Sequence, residues 1–473
     1  MIRFNVGEDD DGMGQEIQKP HMIFGTKGND VLTASKPGGG HLIAGAGDDY
    51  LLALNSGSNV LHGGDGNDWL QADGFSNILY GERGDDDLNV RNDRNRIHGN
   101  EGDDQFQVKG NDHLVTGGLG NDDMTVAVNG SSVHGGAGDD HIRHSSTSYG
   151  EQSNRSTFDL GEGQDQLRLY GWNNQVLAGS GDDTVSVYFV TQSRIDAGAG
   201  NDTLIVEEYW NHGNTFIGGF GDDRIYNYTD QSAGDRGSNN HYYGGGGNDT
   251  IYVSGELETA LGGTGNDTLL AAESLPTNHA VLKGESGNDI IGFDYVSSGR
   301  FNLIDGGDGN DTLSAKDKYN TLTGGAGSDE LSVQLQDTSD NTLSGGRGSD
   351  TYRIGEDTGL NWIREEGLVR ETDRVIFEAV SASEVTVGRQ GNALQIYSEA
   401  EKLLVEDFWG KAGSRVEQFL FSDGTLWTDK QVESLIQAMA ASGTAAGTAD
   451  GNMASPAPEM LSLLLAGQGT SQL

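Results

Sequence analysis

The chain has 473 residues, 75 of them Gly, 5 Pro and none Cys, and 29 Lys and Arg against 73 Asp and Glu leave a formal charge of −44. Without cysteine there is neither a disulfide framework nor a thiolate metal site, no apolar run reaches the ~18–20 residues of a membrane span, and so acidic a surface repels the phosphate backbone of nucleic acids. Apolar residues at only 34% with high net charge also mark a chain that cannot fold unaided, so either the chain is disordered or something cancels its charge.

Residues 1–20 include Glu8, Asp9, Asp10 and Asp11 and lack the basic and apolar regions of a signal peptide. They are expected to form an acidic lead-in, with Ile23 as the first inward residue. From residue 21 to 353 one phrase recurs, Gly-Gly-x-Gly-[Asn/Asp]-Asp-x-apolar, as in Gly63-Gly64-Asp65-Gly66-Asn67-Asp68-Trp69-Leu70 and Gly306-Gly307-Asp308-Gly309-Asn310-Asp311-Thr312-Leu313. Its 17 copies end on Asp30, Asp49, Asp68, Asp86, Asp104, Asp122, Asp140, Asp165, Asp183, Asp202, Asp223, Asp249, Asp267, Asp289, Asp311, Asp329 and Asp350. Every one has Gly two residues before the Asp and an apolar or aromatic residue two after it, at steps mostly of 18 or 19 residues. A low-complexity linker would not hold this register, so disorder is rejected as the functional state.

A second phrase lies between the copies. Four residues before the phrase begins, 9 of the 17 turns carry Asn (59, 77, 95, 174, 214, 240, 302, 320 and 341), with an apolar residue two positions later. Short apolar stretches alternating with period 2 read as half-buried strands. Two strands and two turns per period predict one coil of a parallel β-solenoid, and a repeated Asn predicts a stacked amide ladder.

The phrase resembles the nonapeptide repeat of the RTX (repeats-in-toxin) proteins, a calcium-binding β-helix repeat. In that family the nonapeptide comes twice per coil; here it comes once, which predicts a single row of ions along one edge. The expected fold is therefore all-β: a parallel β-roll or β-solenoid of about 17 coils with one calcium-turn edge, then a β-rich C-terminal cap. Calcium takes about 6–8 oxygen ligands, and one turn supplies too few, so each ion is expected between successive coils that share their Asp residues. Seventeen turns hold at most 16 ions, whose +32 against −44 leaves −12. Folding is then expected to require calcium.

Residues 354–435 have fewer Gly and more large apolar side chains. Arg374-Val375-Ile376-Phe377, Glu384-Val385-Thr386-Val387 and Leu403-Leu404-Val405 read as strands, and the stretch from Val416 to Trp427 resembles the haemolysin-type calcium-binding-related region. Trp362, Phe377, Phe408, Trp409 and Trp427 are expected to form the core of this cap, since a solenoid needs its open end covered. Residues 429–440 read as a short helix. Residues 436–473 form an Ala/Gly/Ser/Thr-rich tail ending near Met460-Leu461-Ser462-Leu463-Leu464-Leu465. The resemblance implies an uncleaved C-terminal signal read by a type I secretion apparatus, hence a bacterial, extracellular protein that folds on meeting calcium outside.

No active-site motif emerges. His-Glu-x-x-His is absent, with His141-Ile142-Arg143-His144 read as surface residues in a long bend, and Gly284-Glu285-Ser286-Gly287 belongs to a calcium turn rather than a nucleophile elbow. The favoured role is adhesion or binding of a polysaccharide or cell-surface glycan; the alternative is a polysaccharide-active enzyme of lyase, hydrolase or epimerase type with carboxylates on the solenoid face. A candidate glycan patch comprises Tyr170, Tyr188, Tyr226, Tyr228 and Tyr252 in outward slots, with Trp172, Tyr209 and Trp210 in adjacent bends. Ice binding would need a regular outward array of Thr and Asn. The third slot instead runs Lys27, Ala46, Asp65, Arg83, Glu101, Leu119, Ala137, and only Thr264-Gly265-Asn266 fits.

Overall fold

Alternation with period 2 puts every second side chain of a strand on one face, and the repeat uses this to fill a narrow interior. In the coil built from the strands Val60–Asp65 and Trp69–Asp73, Leu61, Leu70 and Ala72 are fully buried while Val60, His62, Trp69 and Gln71 face outward. The structure, a computed structural model, describes residues 21–441 apart from 35–38, 55–56, 145–152, 208–210, 229–238, 272–276, 294–298, 317, 335–338, 357–358, 366–370, 400 and 411–414. The acidic lead-in, the tail beyond 441, Tyr209 and Trp210 lie outside the described residues.

The chain divides into two compact units, 1–243 and 244–473. In the first, each coil contributes one strand to each of two parallel sheets. Strands before the Gly turn pair with their counterparts one period on (Leu61 with Leu79, Leu79 with Ile97), and so do strands after it (Leu70 with Leu88, Leu88 with Phe106). The same arrangement runs through the second unit, where Leu282 pairs with Ile304 and Ile291 with Leu313. The result is an all-β parallel β-solenoid of about 16 turns.

The parallel register continues past residue 353. Gly359–Ile363 pairs with Ser339–Arg347 and with Glu401–Val405, and Arg374–Phe377 pairs with Thr351–Ile354 and with Gln418–Leu420. Antiparallel strands then end both sheets: Thr386–Gln390, Ala393–Tyr397 and Glu401–Val405 on one side, Leu426–Thr428 against Gln418–Leu420 on the other. The helix Asp429–Ala441 follows. Thr428 and Gln431 cap it reciprocally, Gln431 N donating to the Thr428 hydroxyl and Thr428 N to the Gln431 amide oxygen. Val432, Leu435 and Met439 on one helix face are buried. Phe377, Phe408 and Trp427 are buried among Phe419 and Phe421, whereas Trp362 and Trp409 are half-exposed and Arg389 lies over the Trp409 ring at 4.6 Å. Among the described residues no helix is long and apolar enough to cross a membrane.

His144 corrects the reading of residues 141–144 as a surface bend. They form a strand, and His144, four residues after Asp140, points inward and is buried. Neither of its ring nitrogens has a hydrogen-bond partner, and burial pushes its pKa down to about 4, so the imidazole is neutral.

Candidate metal centre: the buried aspartate row

The residues ending each Gly turn form a continuous hydrogen-bonded row. Asp49 N donates to Asp68 Oδ1 at 2.7 Å, Asp68 N to Asp86 Oδ1 at 2.7 Å and Asp86 N to Asp104 Oδ1 at 2.8 Å. The first unit keeps this from Asp30 to Asp223 and the second from Asp249 to Asp350, with every bond between 2.7 and 2.9 Å. All 17 Asp side chains are buried.

Their second carboxylate oxygens have a different fate. In thirteen of them (Asp49, Asp68, Asp86, Asp104, Asp122, Asp140, Asp165, Asp183, Asp202, Asp289, Asp311, Asp329 and Asp350) Oδ2 is buried with no hydrogen-bond partner. Asp30 differs, because its Oδ2 accepts from Thr26 N at 2.5 Å. A buried carboxylate oxygen left unpaired costs more than most single interactions contribute.

Where the residue five before the Asp is Gly, the backbone turns a second oxygen toward the orphan in most coils. A methyl group added to Gly63 would stand 2.3 Å from Asp68 Oδ2 and 2.7 Å from the Gly81 carbonyl oxygen of the next coil. Glycine thus leaves a small space onto which a carboxylate and a carbonyl from successive coils converge, the oxygen-only donor set a hard cation takes. The same cradle recurs at Gly81, Gly99, Gly117, Gly284, Gly306 and Gly324. Next along the turn, Gly66 (φ +133) is needed for another reason: a Cβ there would meet the Gly47 carbonyl at 2.4 Å. At the cradle position Ala44, Ala178 and Ala197 bring one methyl, and Leu160 brings a whole buried side chain.

Desolvation dominates the electrostatics. Burial pushes Asp86 up to about 8 and Asp68, Asp104, Asp122 and Asp140 to about 7, against the pull of the backbone N–H each accepts. Neighbouring aspartates add repulsion. The carboxylates therefore need a cation if they are to stay ionised at neutral pH.

Two further ladders hold the turns. On the outside the residue before each Asp links coils in the opposite sense: Asn67 N donates back to Asp48 Oδ1 at 3.1 Å and Asp85 N to Asn67 Oδ1 at 3.0 Å. At the other bend the Asn slot forms the predicted ladder, with Asn59 N and Nδ2 both donating to Asn77 Oδ1, and Asn77 likewise to Asn95. At four turns that lack Asn, other acceptors continue it. Asn95 N donates to His113 Nδ1, His113 N to Ser131 Oγ, Ser131 N to Ser156 Oγ and Asn174 N to Ser193 Oγ.

The tyrosines are placed less simply. Tyr170 and Tyr188 are half-exposed neighbours stacked at 4.9 Å, with Arg168 4.5 Å over the Tyr188 ring. Their row passes through Glu207 to Tyr228, whose side chain lies outside the described residues, while Tyr226 is in the adjacent row, in register with Ile205. Tyr252 is half-exposed in the second unit. A different surface feature, which sequence reading missed, lies at the Asn bends of the first unit. A groove of about 710 Å³ is lined by Asn111, Asp112, Asn129, Arg155, Trp172 and Gln192, among others, with Trp172 52% exposed.

The family comparison agrees with this geometry. The family model of the RTX calcium-binding nonapeptide repeat matches residues 54–88, 62–97, 80–109, 193–207, 236–269, 305–334 and 337–357. These stretches are RTX calcium-binding repeats carried on a β-solenoid, and the repeats imply Ca2+ binding along it. At its C-terminal end the chain carries a haemolysin-type calcium binding protein related domain, matched over residues 394–431. Among solved structures it is similar to a hyperactive, Ca2+-dependent, β-helical antifreeze protein from an Antarctic bacterium, at 18% identity over 73% of this chain and 89% of that one, with a TM-score of 0.41. No curated protein matches the sequence.

Proposed function

We propose that this is a secreted protein whose solenoid folds on extracellular calcium and then binds a polysaccharide or cell-surface glycan. The row of buried, unpartnered Asp Oδ2 atoms carries the first half of the reading. Ionised, these oxygens oppose folding; with a divalent ion between coils they hold the coils together, so binding energy becomes folding energy. A chain unfolded at cytosolic calcium suits passage through a type I apparatus, with residues 436–473 as its uncleaved signal. Deleting 436–473 is expected to keep the protein inside a secreting host, and undiminished export would refute the signal.

The groove beside Trp172 supports the second half. The Trp172 indole is 52% exposed and of the kind on which a sugar ring stacks, and Arg155 offers a fork matched to a uronate carboxylate. Of the named lining residues only Asp112 is acidic, which favours binding over two-carboxylate cleavage. Trp172→Ala and Arg155→Ala are expected to weaken retention on uronate polymers at least ~10-fold while the circular dichroism stays as in the wild type. Unchanged retention by both variants would move the binding surface elsewhere.

A further inference from the structure

Beyond the last Gly turn, the described residues contain a cluster that the repeat does not account for. Asp350 closes the final copy of the phrase; Glu365 and Asp373 belong to no copy. One carboxylate oxygen from each lies within 4.8 Å of the other two, and all three side chains are at least nine-tenths buried.

The surroundings are built around this cluster. Tyr352 occupies the inward slot that holds Leu in most coils, and it is fully buried. Its hydroxyl accepts from Gly345 N at 2.6 Å and donates to Glu365 Oε1, which fixes that carboxylate in the interior. Asp373 Oδ1 accepts from Asp350 N at 2.9 Å, and Asp373 N donates to Glu417 Oε2 at 2.8 Å. Two oxygens are left over: Asp350 Oδ2 and Glu365 Oε2 are buried without a hydrogen-bond partner.

Among the described residues the arginines of this region are engaged elsewhere. Arg353 is paired with Glu330 and Glu378, Arg364 with Glu406, Arg374 with Gln418, and Arg415 with Asp429 and Glu433. Three buried carboxylates with no counter-charge among the described residues repel one another strongly at low dielectric.

We propose that Asp350, Glu365 and Asp373, with Glu365 positioned by Tyr352, form a divalent-cation site that ends the aspartate row and is tighter for Ca2+ than any other turn of it. The row offers one orphan carboxylate oxygen per coil beside backbone carbonyls, whereas this site brings three carboxylates to one centre, and calcium affinity rises with the ligand charge count. The inference shares Asp350 with the calcium reading of the row but does not depend on occupancy of the other turns. Protons are the competing occupants of the cluster.

The test is calcium titration of the full chain at pH 8 by calorimetry and equilibrium dialysis, comparing the wild type with Glu365→Gln, Tyr352→Phe and the mid-row Asp86→Asn. Glu365→Gln is expected to lose one ion from the tightest class and to weaken the first binding step by ~10-fold or more. Tyr352→Phe, which keeps every ligand but frees Glu365, weakens the same step less. Asp86→Asn loses an ion from the weaker class and leaves the first step unchanged. A Glu365→Gln chain with wild-type stoichiometry and first-step affinity overturns the proposal while the row reading stands; a wild type that binds no calcium overturns both. If Glu365→Gln does not fold, Tyr352→Phe decides, since an unchanged first step there refutes the positioning role and the site with it.

Discussion

Two stretches of the first unit share the same strand pairing but differ at the turns. From Gly63 to Asp140 the cradle position is Gly in every coil, and each period is 18 residues after the first. From Leu160 to Asp202 that position reads Leu160, Ala178, Ala197, and a 25-residue step separates Asp140 from Asp165. The Asp N–H to Oδ1 row crosses both without a break, at 2.7–2.8 Å. Stacking of the coils therefore needs the aspartate but not the glycine, and the space for an ion needs the glycine as well. The stretch with the filled cradle is also the one bearing Trp172, Tyr170 and Tyr188, so the surface features cluster where the repeat is least regular.

Removing calcium should have the largest effect. With EGTA at pH 8 the chain is expected to lose most of its β signal in circular dichroism and regain it at millimolar calcium. In a titration followed by hydrogen exchange, residues 63–140 should become protected at lower calcium than residues 157–207. Simultaneous protection of both would erase the distinction.

Acid should partly substitute for the ion. A carboxyl whose folded pKa is raised stabilises the fold fully below its unfolded value near 4 and loses that contribution as pH rises through the folded value. The calcium-free chain is therefore expected to be folded near pH 4 and to unfold as pH climbs between 6 and 8. Asp165 and Asp202, raised by burial to about 6, should release their share earlier than Asp86 at about 8. A calcium-free chain whose circular dichroism ignores pH over that range would contradict the account.

Exchanging the cradles is the sharper probe. Gly99→Leu should remove one bound ion from the regular stretch, and Leu160→Gly should tighten binding in the other, both read by equilibrium dialysis. The smallest effect is expected at the opposite bend. Asn77→Ala strips the acceptor from the Asn59 N–H and should cost about 1–3 kcal/mol in chemical denaturation with calcium present. The affinity of the Asp row should not change with it.

Much of this was readable in the sequence because the repeat fixes parity. The Asp spacing predicted the row, and the apolar residues after each Asp predicted the interior. The same parity also marked His144 as inward, but its polarity suggested a bend. Four positions of the Asn ladder were hidden for a simple physical reason: His113, Ser131, Ser156 and Ser193 also accept a backbone N–H, so a search for Asn passes over them. Glu365 and Asp373 stayed invisible because no Gly precedes either at the repeat spacing, and only the folded chain brings them to Asp350. The groove beside Trp172 is assembled from bends of successive coils and has no local signature.

The two ends of the aspartate row are finished with different parts. At the start Thr26 supplies an N–H to the spare oxygen of Asp30, and at the finish Glu417 supplies the acceptor that Asp373 N would otherwise lack. Thr26 stands where most copies have their second Gly, and Glu417 lies outside the repeat. Whole periods between them are thus interchangeable units, and a gene can lengthen or shorten the array by duplication or loss without redesigning a start or a stop. Size becomes a quantity that evolution can adjust in steps of one coil.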